Sequence, residues 1–264
     1  MIGIKAFFTV LLVMPLGHAL TVLALKLPQG GEYAVVVCGI IAATLILYGM
    51  RYIKSPAGET FVGMITGVLL WACLVEIGVK LGAEASGIGE KRAMEFSLAV
   101  IVPLFLYLLF NANAQCNFFI SLRKGLRIPH SDARPASTDN WGARTAFKMF
   151  TLIWMGHVSL FFAYDPEMFG TNGLFCKMFF ISCLVGGIYL FYRLTKAQQM
   201  DFAFRYAIPT VIVIWSCIET LVKWKIFSEP WITLNPLFLT VVMLVFVGVL
   251  FLIVRAERKS KLSQ

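Results

Sequence analysis

Eight apolar runs of about twenty residues each follow one another along the 264-residue sequence. A helix needs about 20 apolar residues to cross roughly 30 Å of hydrocarbon with its backbone groups paired internally. Hydrophobic residues make up 59% of the chain and charged residues 14%, and this excludes an ordinary soluble domain. The sequence therefore predicts an all-α polytopic membrane protein with eight transmembrane helices. The predicted spans are 5–25, 33–53, 60–81, 97–119, 147–165, 173–194, 203–223 and 232–254.

Basic residues gather in alternate loops and indicate the orientation of the chain. Arg51 and Lys54 follow the second run, Arg193 and Lys196 follow the sixth, and segment 120–146 is rich in arginine. Because lysine and arginine concentrate in cytoplasmic loops, we expect both termini to be cytoplasmic, in a bacterial inner membrane. The same bias accounts for the net charge of +9. The lipid bilayer is the expected partner, other membrane subunits are a second candidate, and nucleic acid is not expected.

The two halves of the sequence carry four landmarks in the same order. Gly-His dipeptides end at His18 and His157, and the other landmarks are Arg51 and Arg193, Glu76 and Glu219, and Lys80 and Lys223. The separation from histidine to arginine is 33 and 36 residues, from arginine to glutamate 25 and 26, and from glutamate to lysine 4 in both halves. This pattern predicts two four-helix repeats, 1–119 and 147–264, joined by a basic cytoplasmic linker, 120–146. An even number of spans gives both repeats the same orientation, related by a pseudo-two-fold axis along the membrane normal.

A helical wheel of the third run groups Cys73, Glu76 and Lys80 on one face and places Trp71 on the opposite face. Aligning the two glutamates then sets Trp71 against Ile214. This register separates the two Trp-x-Cys stretches and favours the carboxylates as the repeated feature.

Two histidines and two glutamates are expected in the outer half of the membrane. At 1.5 Å per residue, Glu76 lies about 24 Å along its span from the cytoplasmic side, and His18 about 20 Å along its own. An ionisable side chain at such a depth usually faces the bundle interior and marks a functional site. The candidate binding residues are His18, Glu76, Lys80, His157, Glu219 and Lys223. The alternative is a purely structural role, because glutamate four residues before lysine favours an intrahelical ion pair.

Three classes of function are compatible with these residues. The first is a transporter or permease for a cation or small solute, and His18 and His157 with the carboxylates would suit a divalent transition metal. The second is a redox protein in which His18 and His157 are the axial ligands of a b-type haem. The third is a non-catalytic subunit of a membrane complex. The sequence contains no catalytic motif that we recognise. It therefore neither predicts nor excludes an enzymatic activity.

Overall fold

A computed structural model describes residues 2–28, 30–53, 55–111, 117–129 and 140–262. All regular secondary structure in these residues is helical. The helices are α1 (Ile2–Leu25), α2 (Gly31–Gly49), α3 (Pro56–Ser86), α4 (Glu90–Phe110), α5 (Asn117–Gly125), α6 (Trp141–Tyr164), α7 (Leu174–Thr195), α8 (Met200–Lys223) and α9 (Pro236–Leu262). A 3₁₀ turn, Met50–Tyr52, extends α2, and the segment Ala72–Ile77 inside α3 is π-helical.

Seven helices in the described part of the chain are long and apolar enough to cross a membrane, namely α1 to α4 and α6 to α8. Large apolar side chains such as Leu45 and Val185 are exposed on the peripheral helices, which is typical of helices surrounded by hydrocarbon. These features are consistent with a polytopic integral membrane protein. The eighth predicted span, 232–254, overlaps α9 (Pro236–Leu262), whose sequence is apolar from Pro236 to Val254.

The fourth predicted span differs from the structure, because the helix begins earlier and ends earlier than 97–119. Helix α4 starts at Glu90 with a charged first turn, and it ends at Phe110, after which Asn111 has an extended backbone. The predicted span starts only where the apolar run starts, so it leaves out this charged first turn of the helix. In the predicted linker, α5 extends to Gly125 and α6 begins at Trp141, while residues 130–139 lie outside the described residues.

Four helices form the centre of the bundle: α1, α3, α6 and α8. Half or more of the most apolar 18-residue stretch of each is buried, compared with 28% or less for α2, α4 and α7. Helix α3 packs against α6, and α1 packs against α8. Around this centre, α2 lies on α3, α7 on α8, α4 on α6 and α9 on α1.

Glycines bring α3 and α6 into backbone contact. A Cβ added to Gly63 would lie 2.2 Å from the carbonyl oxygen of Gly142, and one added to Gly67 would lie 2.6 Å from that of Ala146. Small residues four apart allow this close approach between membrane helices. Glu59 also accepts a hydrogen bond from the backbone N–H of Gly142, at 3.0 Å, where α6 begins. We call this end of the bundle the Gly142 end.

The opposite end of the bundle is tied together by polar contacts between loops. Lys91, at the start of α4, forms an ion pair with Asp165, which follows α6, at 2.9 Å. The indole N–H of Trp224, which follows α8, donates to the carbonyl of Thr171 in the same loop as Asp165, at 2.9 Å. Helices α6 and α8 therefore finish together, at what we call the Asp165 end.

Candidate functional site: a histidine between two glutamates

The imidazole ring of His18 lies between two carboxylates that come from different helices. Its Nδ1 is 3.5 Å from Oε1 of Glu76 on α3, and its Nε2 is 3.4 Å from Oε1 of Glu219 on α8. The hydroxyl of Thr21 donates to the same oxygen of Glu76 at 3.3 Å. The three ionisable side chains are only 14% to 23% exposed. Each ring nitrogen therefore faces an acceptor at ion-pair distance, away from the surface of the bundle.

Helix α1 brings His18 close to α3 because the preceding residue is Gly17. A Cβ at this glycine would lie 3.0 Å from Cγ1 of Val68, so any larger residue would press on α3. Thr21 turns its hydroxyl back to the carbonyl of His18, at 2.7 Å, as well as toward Glu76. In the Gly-His dipeptide, Gly17 therefore allows close packing on α3 and His18 supplies the polar group that faces the carboxylates.

Glu219 is held in place by a tryptophan one helical turn earlier. The indole N–H of Trp215 donates to Oε1 of Glu219 at 2.6 Å. The same indole stacks on His18, with ring centroids 5.7 Å apart and 15° between the planes. Residues four apart lie on the same face of an α-helix, so α8 presents this pair to His18 together.

Trp71 contacts both histidines, although the helical wheel placed it on the face opposite Glu76. Its ring centroid is 5.3 Å from that of His18 and 5.8 Å from that of His157. The wheel was wrong here because Ala72–Ile77 is π-helical. In an α-helix five residues turn the chain by 500°, so side chains five apart point in directions that differ by 140°. In a π-helix the i→i+5 hydrogen bonds bring residues five apart close to the same face. Trp71 and Glu76 consequently both reach His18.

The two Trp-x-Cys stretches have similar surroundings. Trp71 packs on His157 as Trp215 packs on His18, and Trp71 contacts His18 as well. The following cysteines each lie beside a backbone carbonyl of the preceding span. Cys73 Sγ is 4.0 Å from the carbonyl of Val35, and Cys217 Sγ is 3.8 Å from that of Phe180. Helix α3 simply contains one more residue than α8 between cysteine and glutamate.

A Cβ at Gly78 would lie 2.8 Å from the carbonyl oxygen of Cys73. The wider π turn tilts this carbonyl toward the residue five positions later, so a side chain there would collide with it. Gly78 is therefore the residue that allows α3 to return to regular α-helical geometry after Ile77.

His157 lines a small cavity together with His18 and Glu219. The cavity has a volume of about 20 Å³, enough for one water-sized species. Nε1 of Trp71, which lines this cavity, and Oε2 of Glu76, whose other oxygen faces His18, are buried and have no hydrogen-bond partner in the described part of the chain. Buried polar atoms are normally hydrogen-bonded, so a donor and an acceptor remain for a proton or small polar species at this site.

A second cavity, of about 200 Å³, adjoins the first and is lined mainly by apolar side chains. The two cavities share Gly156, Ile212 and Ser216. The larger one extends between α4, α6, α7 and α8, where Phe105 and Phe179 line its walls. A small apolar molecule in this space would lie next to the His/Glu group.

The two lysines do not join the glutamates. Among the described side chains, neither Lys80 nor Lys223 is within ion-pair distance of the glutamate four residues before it; both glutamates face His18 instead. Lys223 lies near the ring of Tyr164, with Nζ 5.6 Å from the centroid. The described residues therefore contain no intrahelical Glu-Lys pair of the kind that the structural alternative required, and His18 on α1 faces both carboxylates.

Neither a metal ion nor haem fits the two histidines as they lie here. The described residues contain no group of three or more His, Cys, Asp or Glu side chains arranged to hold a metal. Both nitrogens of His18 face carboxylates, and the Trp71 indole contacts the rings of both His18 and His157. A porphyrin also has no room in a cavity of about 20 Å³.

Glu229 and Trp231, in the loop between α8 and α9, were not among the residues singled out from the sequence. The indole N–H of Trp231 donates to Oε2 of Glu229 at 2.7 Å, and its ring packs on Trp215 with centroids 4.9 Å apart. Burial raises the pKa of Glu229 above its ordinary value. Only the unusual acidic-aromatic sequence Glu-Pro-Trp in a short loop could have drawn attention to them.

No protein-family model matches the chain, and no curated protein or solved structure is significantly similar to it. The fold and site define a class only: an all-helical, multi-pass protein with a buried His/Glu group near one end of its central helices.

Proposed function

We propose that the protein is an integral membrane transporter for a small cation, and that this cation is the proton. The observation that carries the proposal is the position of His18, whose two ring nitrogens face carboxylates from two different helices. Imidazole is the side chain that gains and loses a proton most readily near neutral pH. The ring can accept a proton at one nitrogen and release the proton bound to the other nitrogen. A proton would thus pass between Glu76 and Glu219 through the ring.

Aromatic contacts favour a positive charge on His18 itself. The ring stacks on Trp215 and meets Trp71 edge to face, and a cation beside indole rings is stabilised electrostatically. The imidazole thus occupies the place between the carboxylates where a foreign cation would bind. Calcium or magnesium would instead need about six or more oxygen ligands, which two glutamates do not supply.

His157 supplies a second basic group. Two carboxylates carry a formal charge of −2, and one imidazolium compensates only +1. His157 lines the same cavity as His18 and Glu219, and a second proton there would bring the total charge to zero. The group can accordingly alternate between a singly and a doubly protonated state, as a carrier of protons requires.

We further propose that the chain is an internal duplication, with repeats 1–119 and 147–264 and an axis along the membrane normal. The helix contacts support this arrangement, because exchanging the halves converts the α1–α8 contact into the α6–α3 contact. The same exchange converts α2–α3 into α7–α8 and α4–α6 into α9–α1. The exchange also converts the contact of Trp215 with His18 into the contact of Trp71 with His157.

The proposed orientation places the Gly142 end in the cytoplasm and the Asp165 end outside. Arginines at the ends of α2 and α7, Arg51 and Arg193, and Arg144 at the start of α6 support it. His18 is then seven residues, about 10 Å, from the outer end of α1 at Leu25. Both termini are cytoplasmic in this arrangement.

The test is proton uptake by proteoliposomes that contain the purified protein, driven by a potassium gradient with valinomycin and followed with a pH-sensitive dye. Wild-type protein should increase the rate over protein-free liposomes, and Glu76→Gln and Glu219→Gln should each lower it at least tenfold. The matched control is Glu84→Gln, the same change on an exposed residue of α3, which should leave the rate unchanged. Wild-type liposomes that behave like protein-free ones would refute the proposal.

A second candidate is proton-coupled transport of a small apolar solute, and the cavity of about 200 Å³ beside the site favours it. Ser159→Phe would fill that cavity without touching the carboxylates. Solute transport predicts that this variant keeps its proton uptake in the absence of solute but loses stimulation of uptake by the solute. Equal stimulation of wild type and variant by every solute would exclude this candidate.

A further inference from the structure

We propose that Glu229 is the external proton-loading residue of the site, the group that protons from the outer side bind before they reach Glu219 and His18. This inference rests on the proposed function and names the entrance that it requires.

Glu229 is connected to the buried site through two tryptophans in contact. Its carboxylate accepts the indole N–H of Trp231, and Trp231, which is only 7% exposed, packs on Trp215. Trp215 in turn donates to Glu219. The loop therefore does not merely link α8 to α9, because it connects one carboxylate to another through two tryptophans in contact.

The loop backbone holds Glu229 in a defined position. Its carbonyl accepts hydrogen bonds from the backbone N–H groups of Ile232 and Thr233, both at 3.2 Å, and the carbonyl of Pro230 accepts one from Asn235 at 3.0 Å. These bonds form a compact turn, so Trp231 points back into the bundle while Glu229 stays half-buried at its edge. A carboxylate in this position can exchange protons with water and still feel the charges inside.

Charges inside the site and at its outer edge act on Glu229. The groups concerned are His18, Glu219 and Lys223. The charge of Glu229 also acts on Tyr164 at the end of α6. Burial raises the pKa of Glu229, which brings its proton uptake closer to the physiological range.

Three other acids at the Asp165 end, Asp165, Glu167 and Glu84, are unsuited to this role. Lys91 forms ion pairs with both Asp165 and Glu167, and its hydrogen bond lowers the pKa of Asp165, which keeps that residue charged. Glu84 is exposed on α3, away from the tryptophan contacts. Glu229, by contrast, combines partial burial with a contact path to Glu219.

The proposed step is a proton transfer between carboxylates. The O–H bond of protonated Glu229 breaks and an O–H bond forms on Glu219, with solvent water as the intermediate carrier. Glu229 is left as a carboxylate that can bind the next proton from outside. The indole N–H groups only position the two acids, because an indole N–H is a donor and not a titrating group at these pH values.

The experiment compares Glu229→Gln with Glu167→Gln in the same proteoliposomes, at external pH values from 5.5 to 7.5 and constant internal pH. We expect Glu229→Gln to slow proton uptake about tenfold and to flatten its dependence on external pH. Glu167→Gln, a matched change on an 81%-exposed side chain of the same end, should follow the wild type. Glu229→Asp, which keeps a carboxylate, should recover part of the rate.

A pH titration of tryptophan fluorescence gives a second readout that does not depend on transport. Protonation of Glu229 should change the emission of Trp231, and this transition should be lost in Glu229→Gln while the protein stays monodisperse. If Glu229→Gln transports like the wild type while Glu76→Gln is inactive, the entrance is elsewhere and the proposed function stands. If the wild type does not transport protons, the proposed function fails and the entrance with it.

Discussion

Deletion of Leu74 should leave the structure and the His/Glu site intact, because α3 contains one residue too many for a regular α-helix at this point. Leu74 belongs to the π-helical turn Ala72–Ile77 and is 42% exposed. Its removal would convert the turn to α-helix and place Trp71 four residues before the glutamate, as Trp215 is before Glu219. The residues on both sides would keep their neighbours.

The matched control is deletion of Ile218, which lies between Trp215 and Glu219 in the regular helix α8. Without a π turn to absorb the change, Glu219 would rotate by about 100° away from His18. The Trp215 hydrogen bond to a charged group, about 1.5–3 kcal/mol, would be lost together with the contact to His18. At about 2–4 °C per kcal/mol, we expect the Tm to fall by about 10 °C, compared with less than about 3 °C for the Leu74 deletion.

Thermal unfolding in detergent, followed by size-exclusion chromatography of fluorescently tagged protein, measures both values. Proton uptake should persist in the Leu74 deletion and disappear in the Ile218 deletion. Equal loss of stability and transport in the two deletions would refute the assignment of the extra residue to the π turn.

Three further predictions concern packing, the indole hydrogen bond and the loop ion pair. Gly67→Val should separate α3 from α6 and lower the Tm by several degrees, because overpacking costs about 1–3 kcal/mol, whereas Gly82→Val, where a Cβ meets no neighbour, should not. Trp215→Phe keeps the ring but removes the donor to Glu219, and should lower the Tm by about 5 °C and slow proton uptake; an unchanged rate would show that this bond does not position the carboxylate. Lys91→Met should lower the Tm at pH 7. The hydrogen bond from Lys91 holds the pKa of Asp165 below 3.8, so this difference from wild type should vanish as the pH falls below the folded-state pKa. A difference that persists at about pH 2 would contradict this origin.

The spans and the chemical character of the site follow from the sequence, because both depend on properties that one residue or one run carries by itself. Twenty apolar residues predict a membrane helix wherever they occur, and seven such helices are present in the described part of the chain. Histidine and glutamate inside such runs are costly unless they meet, and this cost is the reason why His18 and Glu219 are candidate residues in the sequence. The structure places them together with Glu76 and His157 around one ring and one cavity.

The parts that could not be predicted depend on a change of helical period and on contacts between helices. A helical wheel assumes 100° per residue. The sequence from Trp71 to Glu76 contains no feature that predicts a π-helical turn there. The partner of each glutamate was also undetermined, because Lys80 on the same helix and His18 on another helix were both available. The interior position of the carboxylates decided this choice in favour of His18.

The contribution of the loop after α8 was missed for a different reason. Periodicity identifies faces of helices but says nothing about a twelve-residue connection, 224–235, that folds back over the bundle. The contact of Trp231 with Trp215 is visible only once the helices are packed. Loops near a buried charged group therefore deserve inspection even when they lack a motif.

Proton uptake by proteoliposomes containing His18→Gln, compared directly with wild type and with Glu84→Gln, tests the central claim most directly. Glutamine is polar and of similar reach, but it cannot carry a proton between Glu76 and Glu219. Our account predicts wild-type uptake for Glu84→Gln and a rate close to that of protein-free liposomes for His18→Gln. Wild-type uptake by a folded, monodisperse His18→Gln protein would contradict it.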